Sequence, residues 1–134
     1  MALFEWNEQI QTHIAKIDDQ HKELIGYINE LHDSMRAGKS KDVIEKILNG
    51  LFEYTKYHFT FEEEIMEKYE YEHLEEQRKA HKIYVQKIGE LMEKYKKSSI
   101  GIGVDVLTFL MDWIKNHILS DDMQYVPLLK DKAI

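Results

Sequence analysis

The sequence predicts an all-α fold, an antiparallel up-down four-helix bundle preceded by an N-terminal arm. Three observations predict it. Apolar residues recur at spacings of three, four and seven in four separate long segments. The connections between those segments are short, so consecutive helices should run antiparallel and cover one another's apolar stripes. Six glycines and one proline in 134 residues are too few for a turn-rich β fold.

The first stripe is Ile14, Ile17, Leu24, Ile28 and Leu31, with His21 inside it. Asp18 or Asp19 can cap or charge the first turn, and Gly38-Lys39-Ser40 supplies a stop, which sets a helix over 18–37. The second stripe, Ile44, Ile47, Leu48, Leu51, Tyr54, His58, Ile65 and Met66, starts after Ser40 and runs to about Lys68, with Glu62 in its interior. Tyr69 to Glu72 lacks a sustained period and should turn the chain. The third helix carries His81, Tyr84, Val85, Ile88, Leu91, Met92 and Tyr95. Past Ser98, Ser99, Gly101 and Gly103, the stripe resumes as Val104, Leu107, Leu110, Met111, Ile114 and His117, and Asp121 to Pro127 should end it. No internal repeat marks a second module, so residues 1–134 are expected to form a single domain.

Composition narrows the chemistry. With 43% hydrophobic and 32% charged residues, the chain has material for a core and is not overcharged into disorder. The absence of cysteine excludes disulfides, thiolate metal sites, iron–sulfur clusters and cysteine nucleophiles. A formal charge of −7 with no concentrated basic patch argues against nucleic acid as a partner; Lys94, Lys96 and Lys97 sit among glutamates at a predicted helix end, where cations suit the dipole. The N-terminus does not look like a signal peptide and no segment approaches about 18 consecutive apolar residues, so a cytoplasmic protein with no membrane association is expected.

Each predicted helix places one imidazole in or beside its apolar stripe: His21, His58, His81 and His117. One buried histidine commonly just finds a hydrogen-bond partner, but four on four helices suggest a metal centre inside the bundle. Glu62 follows His58 by four residues, about 40° around an ideal helix, so both can face one interior space and the carboxylate can bridge. Glu63 and Glu64 should face solvent. Gln77 stands four before His81 and is open to three roles: a coordinating amide oxygen, a hydrogen-bond partner of a ligand, or an ordinary helical polar residue. His73, one turn further back, could replace it only if the helix geometry permits and is otherwise exposed; His13 and His32 are surface or edge residues. Asp121 lies four after His117 and Asp122 five after it, rotated roughly 140° on an ideal helix. Spacing favours Asp121, a locally widened turn would favour Asp122, and the pattern alone leaves the two undecided.

In order, the chain reads His21, His58-Phe59-x-x-Glu62, Gln77-x-x-x-His81 and His117-Ile118-x-x-x-Asp122, with the strings DDQHKELI, HFTFEEEIM and WIKNHILSDD around three of the histidines. This ordered set resembles the hemerythrin family, above all its bacterial single-domain members, over nearly the whole chain. The resemblance implies a four-helix bundle that binds dioxygen reversibly at two non-haem iron ions joined by an oxo or hydroxo bridge. It implies His21 and His58 on one iron, His81 and His117 on the other, and Glu62 and Asp122 bridging, which selects Asp122 over Asp121. It places Leu24, Phe59, Trp113, Ile114 and Ile118 around an oxygen pocket. The family normally has a histidine where Gln77 stands, and an amide oxygen there is a weaker donor. That departure leaves an oxidase or peroxidase-like variant as an alternative to oxygen storage, delivery or sensing. A zinc or manganese bundle, or a structural interaction bundle without oxygen chemistry, are the remaining alternatives; the protein partners are unknown.

Overall fold

A computed structural model describes residues 6, 8, 11–97, 102–117, 122–129 and 132, with the backbone alone at 102–104. Four long helices, α1 (Ala15–Arg36), α2 (Lys41–Lys68), α3 (Leu74–Lys97) and α4 (Ile102–Asn116), are followed by a short α5 (Met123–Leu129). α1 packs against α2 and α4, and α3 packs against α2 and α4, closing a ring of four neighbours. This is the up-down bundle that the short connections require.

The helix ends follow from local chemistry. α1 starts at Ala15, three residues before the sequence expectation, because Asp18 reaches back: its carboxylate accepts from Thr12 N and Oγ1, both at 2.8 Å, and from His13 N at 3.1 Å. Orphan donors upstream of the first turn are thereby satisfied from inside the helix. Gly38, at φ 67°, closes α1 with Lys39 N donating to Ser34 O and Gly38 N to Met35 O, the paired bonds of a Schellman motif. Ser40 then caps α2, accepting from Val43 N at 3.4 Å. α2 ends in the same motif, with Tyr71 N donating to Met66 O and Glu70 N to Glu67 O, but its left-handed position is Glu70 at φ 56° rather than a glycine.

α4 is described to Asn116, ahead of the end expected over 121–127, and the separate α5 spans Met123–Leu129 with Pro127 inside it. The ring removes one backbone donor just beyond the first turn, and the burial of Tyr125 and Leu129 at 0% and 1% exposure holds the helix despite that loss.

Among the described residues, the interior has two apolar clusters. The larger is built from α1–α4 and includes Leu24, Ile28, Leu48, Leu51, Phe59, Ile88, Leu110, Trp113 and Ile114. The smaller joins Ile14 and Ile17, Ile65 and Met66, Tyr71, and Tyr125 and Leu129. His21 falls between Ile17 of the smaller cluster and Leu24 of the larger. Among the described residues, no helix is long and apolar enough to cross a membrane.

Glu70→Gly should raise the unfolding midpoint by a few degrees, since a non-glycine residue in the left-handed region costs about 1 kcal/mol and the Glu70 side chain is exposed. Thermal unfolding followed by circular dichroism checks this; an unchanged or lower midpoint would show that the turn is not strained.

Candidate metal centre

The apolar stripes carry their polar members inward with them. His21, His58 and His117 are 0% exposed, His81 2%, Glu62 1% and Asp122 0%. His21, His58, Glu62, His117 and Asp122 each offer a ligand atom within 4.8 Å of the others. His81 stands just outside that group, its Nε2 3.6 Å from Glu62 Oε1. Glu62 Oε1 is also 3.0 Å from His58 Nε2 and 3.0 Å from His117 Nε2. Asp122 Oδ2 lies 2.8 Å from His21 Nε2 and 3.1 Å from His117 Nε2.

His117 and Asp122 both carry π-helical backbone. Asp122 Oδ2, five residues on, lies 3.1 Å from His117 Nε2, and π geometry at these two residues is the kind of local widening that the spacing of Asp122 called for. Asp121 and Ile118 lie outside the described residues.

The outer nitrogens of two rings explain what the inner nitrogens are for. His58 Nδ1 is 2.7 Å from Gln20 Oε1, and His81 Nδ1 is 2.8 Å from Glu63 Oε2. An amide oxygen and a carboxylate only accept, so both Nδ1 atoms donate. In the neutral ring, Nε2 is then a lone pair, and in both residues it faces the Glu62 carboxylate. Acceptor against acceptor in a dry interior repels unless a cation sits between them. A divalent metal ion with nitrogen and oxygen ligands fits that space, and residues that fix the imidazole from behind are typical of such sites.

Electrostatics agree. Burial pulls the His58 imidazole below its ordinary value, outweighing the Glu62 charge. Burial also pulls on His117, but Asp122 and Glu62 outweigh it and hold that ring well above its ordinary value. Burial drives the Glu62 carboxyl upward, whereas the adjoining His58 and His117 rings overcome that and keep it well below the usual carboxylate range.

Several supporting groups were not singled out in the sequence. Tyr125, 0% exposed, donates its hydroxyl to Glu62 Oε2 at 2.7 Å; burial, then Asp122 and Glu62, keep the phenol well above its ordinary value and so protonated. Its signal was its place three residues after Asp122, on the same helical side. Gln20, beside His21, was equally readable only as a polar residue. Glu63 corrects an expectation: it is not simply solvent-facing, since it accepts from His81 and its carboxylate meets Arg78 Nε at 3.5 Å. Glu64 is exposed as expected. His73 and His13 are exposed, and His32 is half-buried at the bundle edge. Gln77 is 4% exposed, one turn before His81.

Leu24, Phe59, Trp113 and Ile114 are buried together in the larger cluster. Phe59 stacks on His81 with centroids 3.9 Å apart and planes at 1°. Trp113 stacks on His117 at 5.7 Å and 20°. These rings form an apolar wall beside the polar centre.

A four-helix bundle that sets four imidazoles against two carboxylates in its interior defines a metal-binding bundle protein. Residues 12–129 match the hemerythrin HHE cation binding domain. The chain is 33% identical over 141 residues to a bacteriohemerythrin of Pseudomonas aeruginosa, covering 99% of this chain and 91% of that one. A bacteriohemerythrin of Methylococcus capsulatus is 32% identical, over 96% and 98% of the two chains. A crystal structure of wild-type hemerythrin superposes with a TM-score of 0.88 at 32% identity, covering 96% of this chain and 99% of that one. The chain belongs to the hemerythrin family.

Tyr125→Phe should lower the stability of the metal-free protein by about 1.5–3 kcal/mol, the usual worth of a hydrogen bond to a charged group whose partner stays buried. Urea unfolding gives the value. A loss below about 0.5 kcal/mol would mean the hydroxyl does not support Glu62.

Proposed function

We propose that this chain binds dioxygen reversibly at two non-haem iron ions joined by an oxo or hydroxo bridge, with residues 1–134 acting as one domain. In this reading His21 and His58 would hold one iron, His81, His117 and Gln77 the other, and Glu62 and Asp122 would supply carboxylates to both. The observation that carries it is the pair of imidazole lone pairs aimed at Glu62 with their outer nitrogens already committed to Gln20 and Glu63. When bound, the iron pair supplies reversible two-electron exchange with dioxygen.

The protein's own residues do the rest. Glu62 and Asp122 bring anionic oxygen to the centre. Gln20 and Glu63 keep the His58 and His81 rings in one tautomer and one orientation. Tyr125 holds its proton on Glu62 Oε2. Leu24, Phe59, Trp113 and Ile114 exclude water from the space beside the imidazoles, and Ile118 completes that pocket in this reading. The net charge of −7 supports a protein that does not bind nucleic acid, and we place it in the cytoplasm.

Gln77 favours a second reading, an oxidase or peroxidase-like variant, because a neutral amide oxygen donates less than the family's usual imidazole. One experiment separates the readings. Protein produced with ample iron should contain about two irons per chain, and its visible spectrum should change on oxygenation and revert on deoxygenation. Irreversible oxidation with peroxide release would favour the second reading. One iron per chain, or preferential zinc occupancy without an oxygen-dependent spectrum, would reject both.

The bridge has its own test. Asp122→Asn should weaken retention of the metal pair by more than about 100-fold, since loss of a direct ligand should exceed the effect of losing a supporting group. Iron release to a chelator measures it, with Asp121→Asn alongside. Retention equal to the parent in Asp122→Asn would remove Asp122 from the ligand set.

A further inference from the structure

Two hollows border the helix that carries His81. The larger, about 690 Å³, lies between α2 and α3; its lining includes Phe59, His81, Lys56, Arg78 and Lys82. The smaller, about 270 Å³, lies where α5 passes α3 and is lined by His73, Glu76, Gln77, Ala80 and Gln124. The two differ in charge. Three cations and one carboxylate, Glu63, border the larger hollow, whereas the smaller is lined by one carboxylate, Glu76, and by no lysine or arginine.

The smaller cleft has a graded series of donors. His73 stands at its exposed end with a half-exposed side chain, its ring nitrogens 3.5 Å from Glu72 Oε1 and 3.7 Å from Glu76 Oε2. Gln77 forms an inner wall and is 4% exposed. His81, one turn on, is 2% exposed with Nε2 at the buried centre. Residues 73, 77 and 81 are spaced by four, so they line one face of α3 at a rise of about 6 Å per step. The cleft itself ends at Gln77 and Ala80, whereas His81 lines the larger hollow; a divalent cation moving inward along this face would meet imidazole and carboxylate first, then the amide oxygen of Gln77, and would have to pass Gln77 to reach the inner imidazole. Each step offers a donor in place of a shed water.

We propose that this cleft is the port through which divalent metal ions load into the bundle, with His73 and Glu76 as the capture point and Gln77 as the intermediate donor. The proposal rests on the metal-centre reading above and adds a route to it. A neutral, moderately weak donor suits a passage, since a tight ligand midway would trap the ion. Carboxylates at the mouth raise the local cation concentration, while the lysines and arginine bordering the larger hollow lower it.

The test uses the full chain freed of metal by chelation, with cobalt(II) as the probe and stopped-flow absorbance as the readout. His73→Ala removes the capture ring from an exposed site. Ala80→Leu fills the cleft with a residue that helices accept well, and Gln86→Leu does the same in the larger hollow. Loading should slow by about tenfold in His73→Ala and Ala80→Leu and stay at the parental rate in Gln86→Leu, with the same final stoichiometry and helical signal in all four proteins. Parental loading rates in both cleft variants would overturn the port. Slowing by Gln86→Leu equal to or greater than that by Ala80→Leu would overturn it as well. A parent chain that takes up no cobalt would instead defeat the metal-centre reading itself, whereas unchanged rates with full uptake defeat only the port.

Discussion

The interior of this bundle is organised around one buried carboxylate oxygen faced by more imidazole nitrogens than can donate to it. Glu62 Oε1 sits within 3.0–3.6 Å of three imidazole Nε2 atoms, and two of those rings have their other nitrogen engaged as a donor. Desolvating a carboxylate costs several kcal/mol even after relaxation, and a hydrophobic replacement is commonly as stable or more so. A bundle of this size has no structural need for such a centre. Its presence in the driest part of the fold marks where stability has been given up for binding.

That constraint explains the division of the core. A polar layer contributed by all four long helices cannot share space with packed leucines, so the apolar residues separate into a large cluster on one side and a small one on the other. The larger cluster supplies the aromatic rings that stack against His81 and His117. The smaller supplies Tyr125, whose ring belongs to the apolar packing while its hydroxyl serves Glu62. Packing and polar satisfaction are thus met by the same side chains, as buried polar networks require.

Much of this was legible in the sequence because helical periodicity reports which face is buried, and the four histidines and Glu62 share that face with leucines and isoleucines. Other details were hidden for physical reasons. The start of α1 depends on Asp18 bonding backward to Thr12, which propensity does not register. Pro127 signals termination in isolation, yet tertiary burial of Tyr125 and Leu129 overrides it. Glu63 lies in a run of three glutamates, and nothing in that run distinguishes the one that meets His81 from the one that meets water. Spacing left Asp121 and Asp122 both open, and the family resemblance selected Asp122, because its five-residue distance from His117 departs from the ordinary helical angle.

That five-residue distance has a wider effect on the last part of the chain. On an uninterrupted α-helix, five residues would leave two side chains about 140° apart, yet His117 Nε2 and Asp122 Oδ2 meet at 3.1 Å. Tyr125, three past Asp122, meets Glu62, and Leu129, four past Tyr125, meets the smaller cluster. The chain therefore serves the polar centre twice over, at His117 and again at Asp122 and Tyr125, and α5 still closes the end of the bundle with its own apolar face.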